Sequence, residues 1–280
     1  MSIQIFPPHP KLAKLLMHIL VLELDDCESY IPASLTSSVM LLVRGSVQVE
    51  QADGSLLSMQ RCILRGPFNQ MAHSFSGPKT LTISVGIRPG MLHQASGIFP
   101  ATLLSSYLPM QQVTDPLRVE TLLAAMDEPR EIADYVALFQ EFLLDTLDHQ
   151  KKPSMGAQFL AAHQKMFSPL LDLSLYFGIG ERQLERRMRE AFGVNLRDAR
   201  RVVRFGWSLL HIIGMPVGWG DLTRIAHDSG YYDQAHMHKE YLDLAGISPI
   251  ALLQKIASDD PAYWLYRLSE QDTKKLFLPV

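Results

Sequence analysis

The sequence predicts an α+β chain, with a β-rich N-terminal half followed by an all-helical C-terminal half. Three observations predict it. Residues 31–88 are short apolar runs split by turn signals such as "RGS", "ADGS", "SGP" and "RPG". Beyond residue 115 the apolar spacing lengthens to that of helices. Within residues 157–256 one pattern of apolar residues and glycines occurs twice, about fifty residues apart.

In the β-rich half, "SSVMLLVRGSVQVEQADGSLLSM" reads as strands joined by a hairpin at Asp53-Gly54. Thr80–Ile87, "TLTISVGI", alternates and reads as a strand. Short strands with turns between them fit a small barrel or a sandwich. Next, "DPLRVETLLAAM" reads as a helix with Pro116 near its start. "PREIADYVALFQEFLLDTL" places Ile132, Tyr135, Val136, Phe139, Phe142, Leu143 and Leu147 at helical spacing. The two form a helical hairpin whose stripe is either core or a dimer seam. The lysines and Pro153 of "HQKKPSMG" mark a linker.

Composition narrows the class. Apolar residues make up 47% of the 280, enough to build packed cores. Cys27 and Cys62 are too few for a disulfide framework or a thiolate zinc site. "KLLMHILVLELDD" is too short an apolar run for a leader or a membrane span, and it ends in acids. The expectation is a soluble cytoplasmic protein with no membrane partner. Net charge is −3, which alone argues against nucleic acid. Yet residues 156–256 carry 12 Lys+Arg against 10 Asp+Glu, while residues 1–155 carry 11 against 15. A mildly basic module follows an acidic one.

The repeat lies in that module. One unit runs Leu173, Gly178, Leu184, Gly193; the other runs Ile225, Gly230, Met237, Gly246. A short helix, a tight glycine turn and a second helix pinned by one core residue are the grammar of a helix-turn-helix. Between the units, "NLRDARRVVRFGWSLLHII" starts at a capping Asn195. It carries an apolar stripe of Val202, Phe205, Leu209 and Ile212 and a basic stripe of Arg197, Arg200, Arg201 and Arg204.

The stretch "HDSGYYDQAHMHKEY" is dense in histidine, as metal sites often are. His236 and His238, however, are two apart and point about 200° apart on a helix, so they share no metal. The stretch reads instead as a helix with Met237 and Tyr241 inside and polar side chains outside. No metal site is expected.

"IAHDSGYYDQAHMHKEYLDLAGISP" resembles the second helix-turn-helix of the AraC family of bacterial transcription regulators. "GIGERQLERRMREAFGV" resembles the family's first unit. It departs at Gly180, where the family usually has a capping serine, and at Met188, where it usually has Phe. Glycine is a tolerable cap, so the first change weakens the helix start only slightly. The resemblance covers about 100 of the 280 residues. "PHPKL" and "VGIRPGM" are similar to a subgroup whose sensor half is a cupin-like barrel.

The resemblance implies an N-terminal cupin-like β-barrel with a helical hairpin and a C-terminal all-α double helix-turn-helix domain. The expected division is 1–110 sensor, 111–155 hairpin and linker, 156–256 DNA-binding domain and 257–280 tail. It implies a sequence-specific DNA-binding transcription regulator, responsive to a small-molecule effector, and no enzyme and no cofactor. Double-stranded DNA, a second copy as homodimer and RNA polymerase are the implied partners. By family position the groove-facing residues are Arg182, Glu185 and Arg186, then Gln234, His238 and Lys239. Arginine suits guanine edges, glutamine suits adenine and glutamate accepts from cytosine. Glu181 and Glu185 put acids near phosphates. The basic stripe either contacts phosphate or pairs internally with Asp198 and neighbouring acids. Trp219 and Tyr232 read as packing residues rather than base-stacking ones.

In the barrel, His73 and His93 are read as the only histidines. No His-x-His with a following Glu occurs, so a metal-dependent cupin enzyme lacks its ligands, though a barrel can hold a small organic ligand. The rival reading is a cupin-like ligand-binding or enzymatic protein whose helix-turn-helix domain has lost DNA binding. A third, an alkyl-transfer sensor using Cys27 or Cys62, lacks clustered cysteines.

Overall fold

A computed structural model describes residues 1–148, 158, 163–214 and 220–277. The expected linker at 149–156 and Trp219 lie outside the described residues. Strands fill the N-terminal half: β1 (Ser2–Phe6), β2 (Leu16–Leu24), β3 (Cys27–Ile31), β4 (Ser37–Arg44), β5 (Val47–Glu50), β6 (Leu56–Ser58), β7 (Cys62–Arg65), β8 (Ala72–Ser76) and β9 (Thr80–Ile87). The short helix α1 (Leu92–Ser96) and the last strand, β10 (Tyr107–Pro109), follow. The expected hairpin is β5–β6, with Gly54 at φ 79° in its turn.

The strands form two antiparallel sheets, ordered β1-β2-β9-β4-β7-β10 and β3-β8-β5-β6. The expected barrel is not closed. β1 and β10 end the larger sheet without pairing to each other, and the smaller sheet packs as a separate layer. The strands also begin earlier than the turn signals suggest, at Ser2 rather than near residue 31.

Alternation sorts the larger sheet into two faces. Val39, Leu41, Ile83 and Val85 are fully buried on one of them. They lie under the hairpin of α2 (Pro116–Asp127) and α3 (Ile132–Thr146). Asp115 caps α2 by accepting from the Leu117 N–H, with Pro116 at the first helical position. The stripe expected either as core or as a dimer seam is core. Tyr135, Val136, Phe139, Phe142, Leu143 and Leu147 are buried against the chain's own sheet. Ile132, at the start of the stripe, is partly buried against the same core, so burial within the chain accounts for the stripe without a partner.

The C-terminal half is helical: α4 (Leu170–Phe177), α5 (Glu181–Phe192), α6 (Leu196–Gly214), α7 (Asp221–Asp228), α8 (Gln234–Ala245), α9 (Pro249–Ala257) and α10 (Glu270–Phe277). Both repeat units take the expected shape, α4–α5 and α7–α8. Gly178 and Gly230, in their turns, adopt φ 66° and 82°. A side chain resists that region. The core positions of the repeat, Leu173, Leu184, Ile225 and Met237, are buried, as is the α6 stripe of Val202, Phe205, Leu209 and Ile212. Asn195 caps α6 by accepting from the Asp198 N–H at 2.9 Å.

The two halves share one apolar cluster. Leu20, Leu22 and Leu24 of β2 pack into the same core as Phe205, Tyr241 and Tyr266. Residues 257–277 do not trail as a tail. A 3₁₀ segment, Pro261–Arg267, buries Tyr263, Trp264 and Tyr266, and the Trp264 indole N–H donates to Ser29 Oγ of β3 at 2.9 Å. Ala33 N–H donates to the Leu244 carbonyl at the end of α8.

Because Phe139 is fully buried between α3 and the sheet, Phe139→Ala is expected to cost about 3–5 kcal/mol in urea unfolding. Phe139→Asp is expected to leave unfolded protein. Recovery of a folded Phe139→Asp monomer would return the stripe to a dimer surface.

Candidate nucleic-acid interface

In the first unit, α5 starts at Gly180 with no side-chain cap, as its sequence departure implies. Leu184, Met188 and Phe192 seat it in the core. That leaves Arg182 and Arg186 exposed on the opposite face. Glu185 does not join them. It is half-buried, and its Oε2 accepts from the Leu196 N–H at 3.5 Å, turned toward the start of α6. Two further exposed arginines went unnoticed in the sequence: Arg187, 3.5 Å from Glu190, and Arg189. Arg186 also approaches Glu190, at 3.7 Å. Such exposed pairs hold a side chain weakly.

In the second unit, Asp233 caps α8 by accepting from the His236 N–H at 2.7 Å. Gln234, His238 and Lys239 are exposed. Gln234 Oε1 accepts from Thr223 Oγ1 at 3.2 Å, across the two helices of the unit. His236 turns inward, edge-on to Tyr231 and 3.4 Å from Glu240. The two histidines diverge, as their spacing on a helix requires. Tyr232 corrects the expectation of packing: it is 84% exposed. Its neighbour Tyr231 is the packing residue, and burial pushes its hydroxyl up to about 12. A YY pair on a turn can bury only one ring, and sequence alone does not say which.

The basic stripe of α6 divides. Arg197 is exposed. Arg200 donates to the carbonyls of Met166 and Ser168 at 2.6 and 2.5 Å. Arg201 pairs with Glu240 at 3.2 Å and Asp243 at 2.7 Å. Arg204 pairs with Glu240 at 2.6 Å and lies over the Tyr231 ring at 4.9 Å. Of the two readings of the stripe, internal engagement holds for these three arginines. Their partners are not Asp198, which closes the Asn195 cap instead. The unforeseen residue is Glu240, whose side chain is 5% exposed. A signal was available: it lies three residues past the core Met237 and beside the core Tyr241, on the inner side of α8.

The four arginines, with His236, Lys239, Glu240 and Asp243, line a cleft of 480 Å³ between α6 and α8. Arg197 and Lys239 are its exposed cations. Among the described residues, no group of His, Cys, Asp and Glu is placed to hold a metal ion. Two more histidines lie in the sheet half, contrary to the sequence count: His9, between β1 and β2, and His18 of β2, which is buried over Gly86. His18 was missed because its run read as merely apolar. No described helix is long and apolar enough to cross a membrane.

No family model matches the sequence, and no curated protein matches it. Solved structures do. An apo form of ToxT from Vibrio cholerae superposes with a TM-score of 0.48 at 11% identity, over 84% of this chain and 97% of that one. An unsaturated fatty acid bound ToxT from the same organism gives 0.45 at 12%, over 84% and 93%. The AraC-like transcriptional activator CuxR gives 0.30 at 14%, over 68% and 76%.

Removing the Glu240 carboxylate leaves two arginines facing each other with little water. Glu240→Ala is expected to cost about 3 kcal/mol, whereas Arg197→Ala is expected to stay within about 0.5 kcal/mol. Urea unfolding of both variants checks this; equal costs would mean that Glu240 is not the node its contacts describe.

Proposed function

We propose that the protein is a sequence-specific, double-stranded-DNA-binding transcription regulator of AraC type, cytoplasmic and responsive to a small-molecule effector. One observation carries the reading. Two helix-turn-helix units hold their second helices with side chains suited to base edges exposed, Arg182 and Arg186 on α5 and Gln234, His238 and Lys239 on α8. Between them stands the 19-residue α6, ~28 Å long at the rise of an α-helix. One turn of B-DNA spans ~34 Å, so the two helices suit neighbouring major-groove windows. Arg197, at the mouth of the α6–α8 cleft, is the proposed phosphate contact. Glu185 is expected to contribute less than its family position implies, because it turns toward α6.

A homodimer remains part of the proposal, with its seam outside the buried stripe of α3. RNA polymerase is the partner of an activator in this reading. No residue is assigned a catalytic role and no cofactor is required.

One observation favours the rival, a ligand-binding or enzymatic protein without DNA binding. Arg200, Arg201 and Arg204 are spent inside the fold. A gel-shift titration of the full chain separates the two. The regulator is expected to bind the DNA upstream of its own gene at low salt, and to lose affinity steeply as salt rises. No shift at low salt would favour the rival.

Arg186→Ala and Gln234→Ala are each expected to narrow the gap between cognate and random duplex by about 1–3 kcal/mol. Arg197→Ala is expected to weaken every sequence alike and lower the salt slope by about one. A uniform loss for Arg186→Ala would make that residue a phosphate contact.

A further inference from the structure

Two stripes face each other across the cleft between α6 and α8, and they share one spacing. On α6, Arg197, Arg200, Arg201 and Arg204 follow i, i+3, i+4, i+7, so all four lie on one side of the helix. On α8, His236, Lys239, Glu240 and Asp243 repeat that spacing. Together they line a cleft of 480 Å³, which lies within the range of small-ligand sites, ~300–1,000 Å³. With His236 neutral, the lining carries five cations against two carboxylates, in a chain whose net charge is −3.

The two carboxylates do not cancel those cations evenly. Glu240 and Asp243 take Arg201 and Arg204. Among the described residues Arg197, Arg200 and Lys239 make no ion pair. Arg200 donates to two neutral carbonyls, which leaves its charge in place. Burial lowers its pKa from the usual guanidinium value, and the Glu185 carboxylate of α5 offsets that only in part. A cation held partly out of water without a counter-charge is costly to keep, and an anion in the cleft would relieve that cost.

The spare hydrogen-bond donors belong to the same groups. Arg200 and Arg201 each engage Nε and Nη2, and among the described residues Nη1 of neither has a partner. Arg197 and Lys239 stand exposed, one on each helix. Guanidinium donors form a planar fork that suits phosphoryl oxygens, and an ammonium adds a point charge. A duplex carries its phosphates on a stiff backbone, which meets the rim of the cleft. A small free anion can pass between the helices and reach Arg200 and Arg201 as well.

We propose that the α6–α8 cleft binds a free oligophosphate, pyrophosphate or longer, and that this anion competes with the DNA backbone for Arg197. Binding needs only the fold; the competition rests on the DNA-binding reading. One phosphoryl group carries about two negative charges at most. An excess of three cations therefore calls for two linked phosphoryl groups rather than one. DNA affinity then falls as the free oligophosphate rises, through the helical half alone.

The test uses the full chain, first without DNA. Calorimetric titration and thermal unfolding are run with pyrophosphate and tripolyphosphate, against orthophosphate and sulfate at matched ionic strength. At a concentration about a hundredfold above its dissociation constant, pyrophosphate is expected to raise the midpoint by roughly 5 °C. Orthophosphate and sulfate are expected to bind about tenfold more weakly, having fewer charge-assisted bonds to make. Arg197→Ala and Lys239→Ala, both at exposed side chains, are each expected to weaken pyrophosphate about threefold. Asp243→Asn removes a half-exposed carboxylate from the lining and is expected to tighten it about twofold. Arg44→Ala, in the sheet half, is expected to leave it unchanged. No pyrophosphate binding by the parent, equal binding of sulfate, or full affinity in both Arg197→Ala and Lys239→Ala overturns the site. Gel shifts at fixed ionic strength then test the competition. Saturating pyrophosphate is expected to weaken DNA binding about tenfold, and unchanged DNA affinity overturns the competition. A parent chain that takes pyrophosphate but no DNA overturns the regulator reading and leaves the site standing; one that binds DNA but no pyrophosphate does the reverse.

Discussion

A buried carboxylate organises the C-terminal half. Glu240 of α8 sits between α6 and α8, where Arg201, Arg204 and His236 converge on it. A charge leaves water at a large cost, and only well-placed partners offset it. The pairing therefore fixes how α8 lies on α6. Arg204 extends the hold to the turn of the second unit, through the Gly230 carbonyl and the Tyr231 ring. Beneath the charges, the Tyr241 hydroxyl and Ser208 Oγ share a buried hydrogen bond at 2.9 Å. The turn of the second unit, α8 and α6 are thus tied together by one set of contacts.

The first unit is held through backbone groups instead. Arg200 reaches the carbonyls of Met166 and Ser168, just before α4, and Glu185 reaches the backbone of Leu196. α5 also leans on the sheet half, where Gly193 meets Pro100 and Ala101. A side chain at Gly193 would face both a positive φ and that backbone. The boundary between the halves is thus a change of secondary structure and not of core. Leu20, Leu22 and Leu24 belong to the same cluster as the α6 stripe, so any shift in the sheets reaches the helices through packed contacts rather than a hinge.

Sequence patterns exposed what local chemistry determines. The two glycine turns, the Asn195 cap, the strand at Thr80–Ile87 and the core Met237 all follow from spacing and residue type. β2 escaped for a physical reason. "LMHILVLEL" is covered on both sides, by hairpin helices under Ile19 and Val21 and by the C-terminal core over Leu20 and Leu22. A strand buried on both faces loses its alternation. Glu240 and Tyr232 were misjudged because polarity and aromaticity are poor guides to burial when a partner from a distant helix decides it. The open edge of the larger sheet depends on which strands pair, and no local signal carries that.

The charge ledger of the helical half then has a consequence for how such a protein would choose its DNA. Residues 156–256 hold 12 Lys+Arg, and three of the four stripe arginines face carboxylates or carbonyls rather than solvent. Arg186, Arg187 and Arg224 lie near acids of their own helices. Fewer cations are left to release counterions from phosphate, and that release supplies nearly all non-specific affinity. Under the proposed function, random DNA is therefore bound weakly. The base-reading side chains of α5 and α8 would supply a larger share of the total than in a strongly basic regulator. Discrimination depends on the ratio of the two affinities and not on either alone. An acidic chain that spends its arginines on rigidity gives up general attraction, and what it keeps is set by the geometry Glu240 holds.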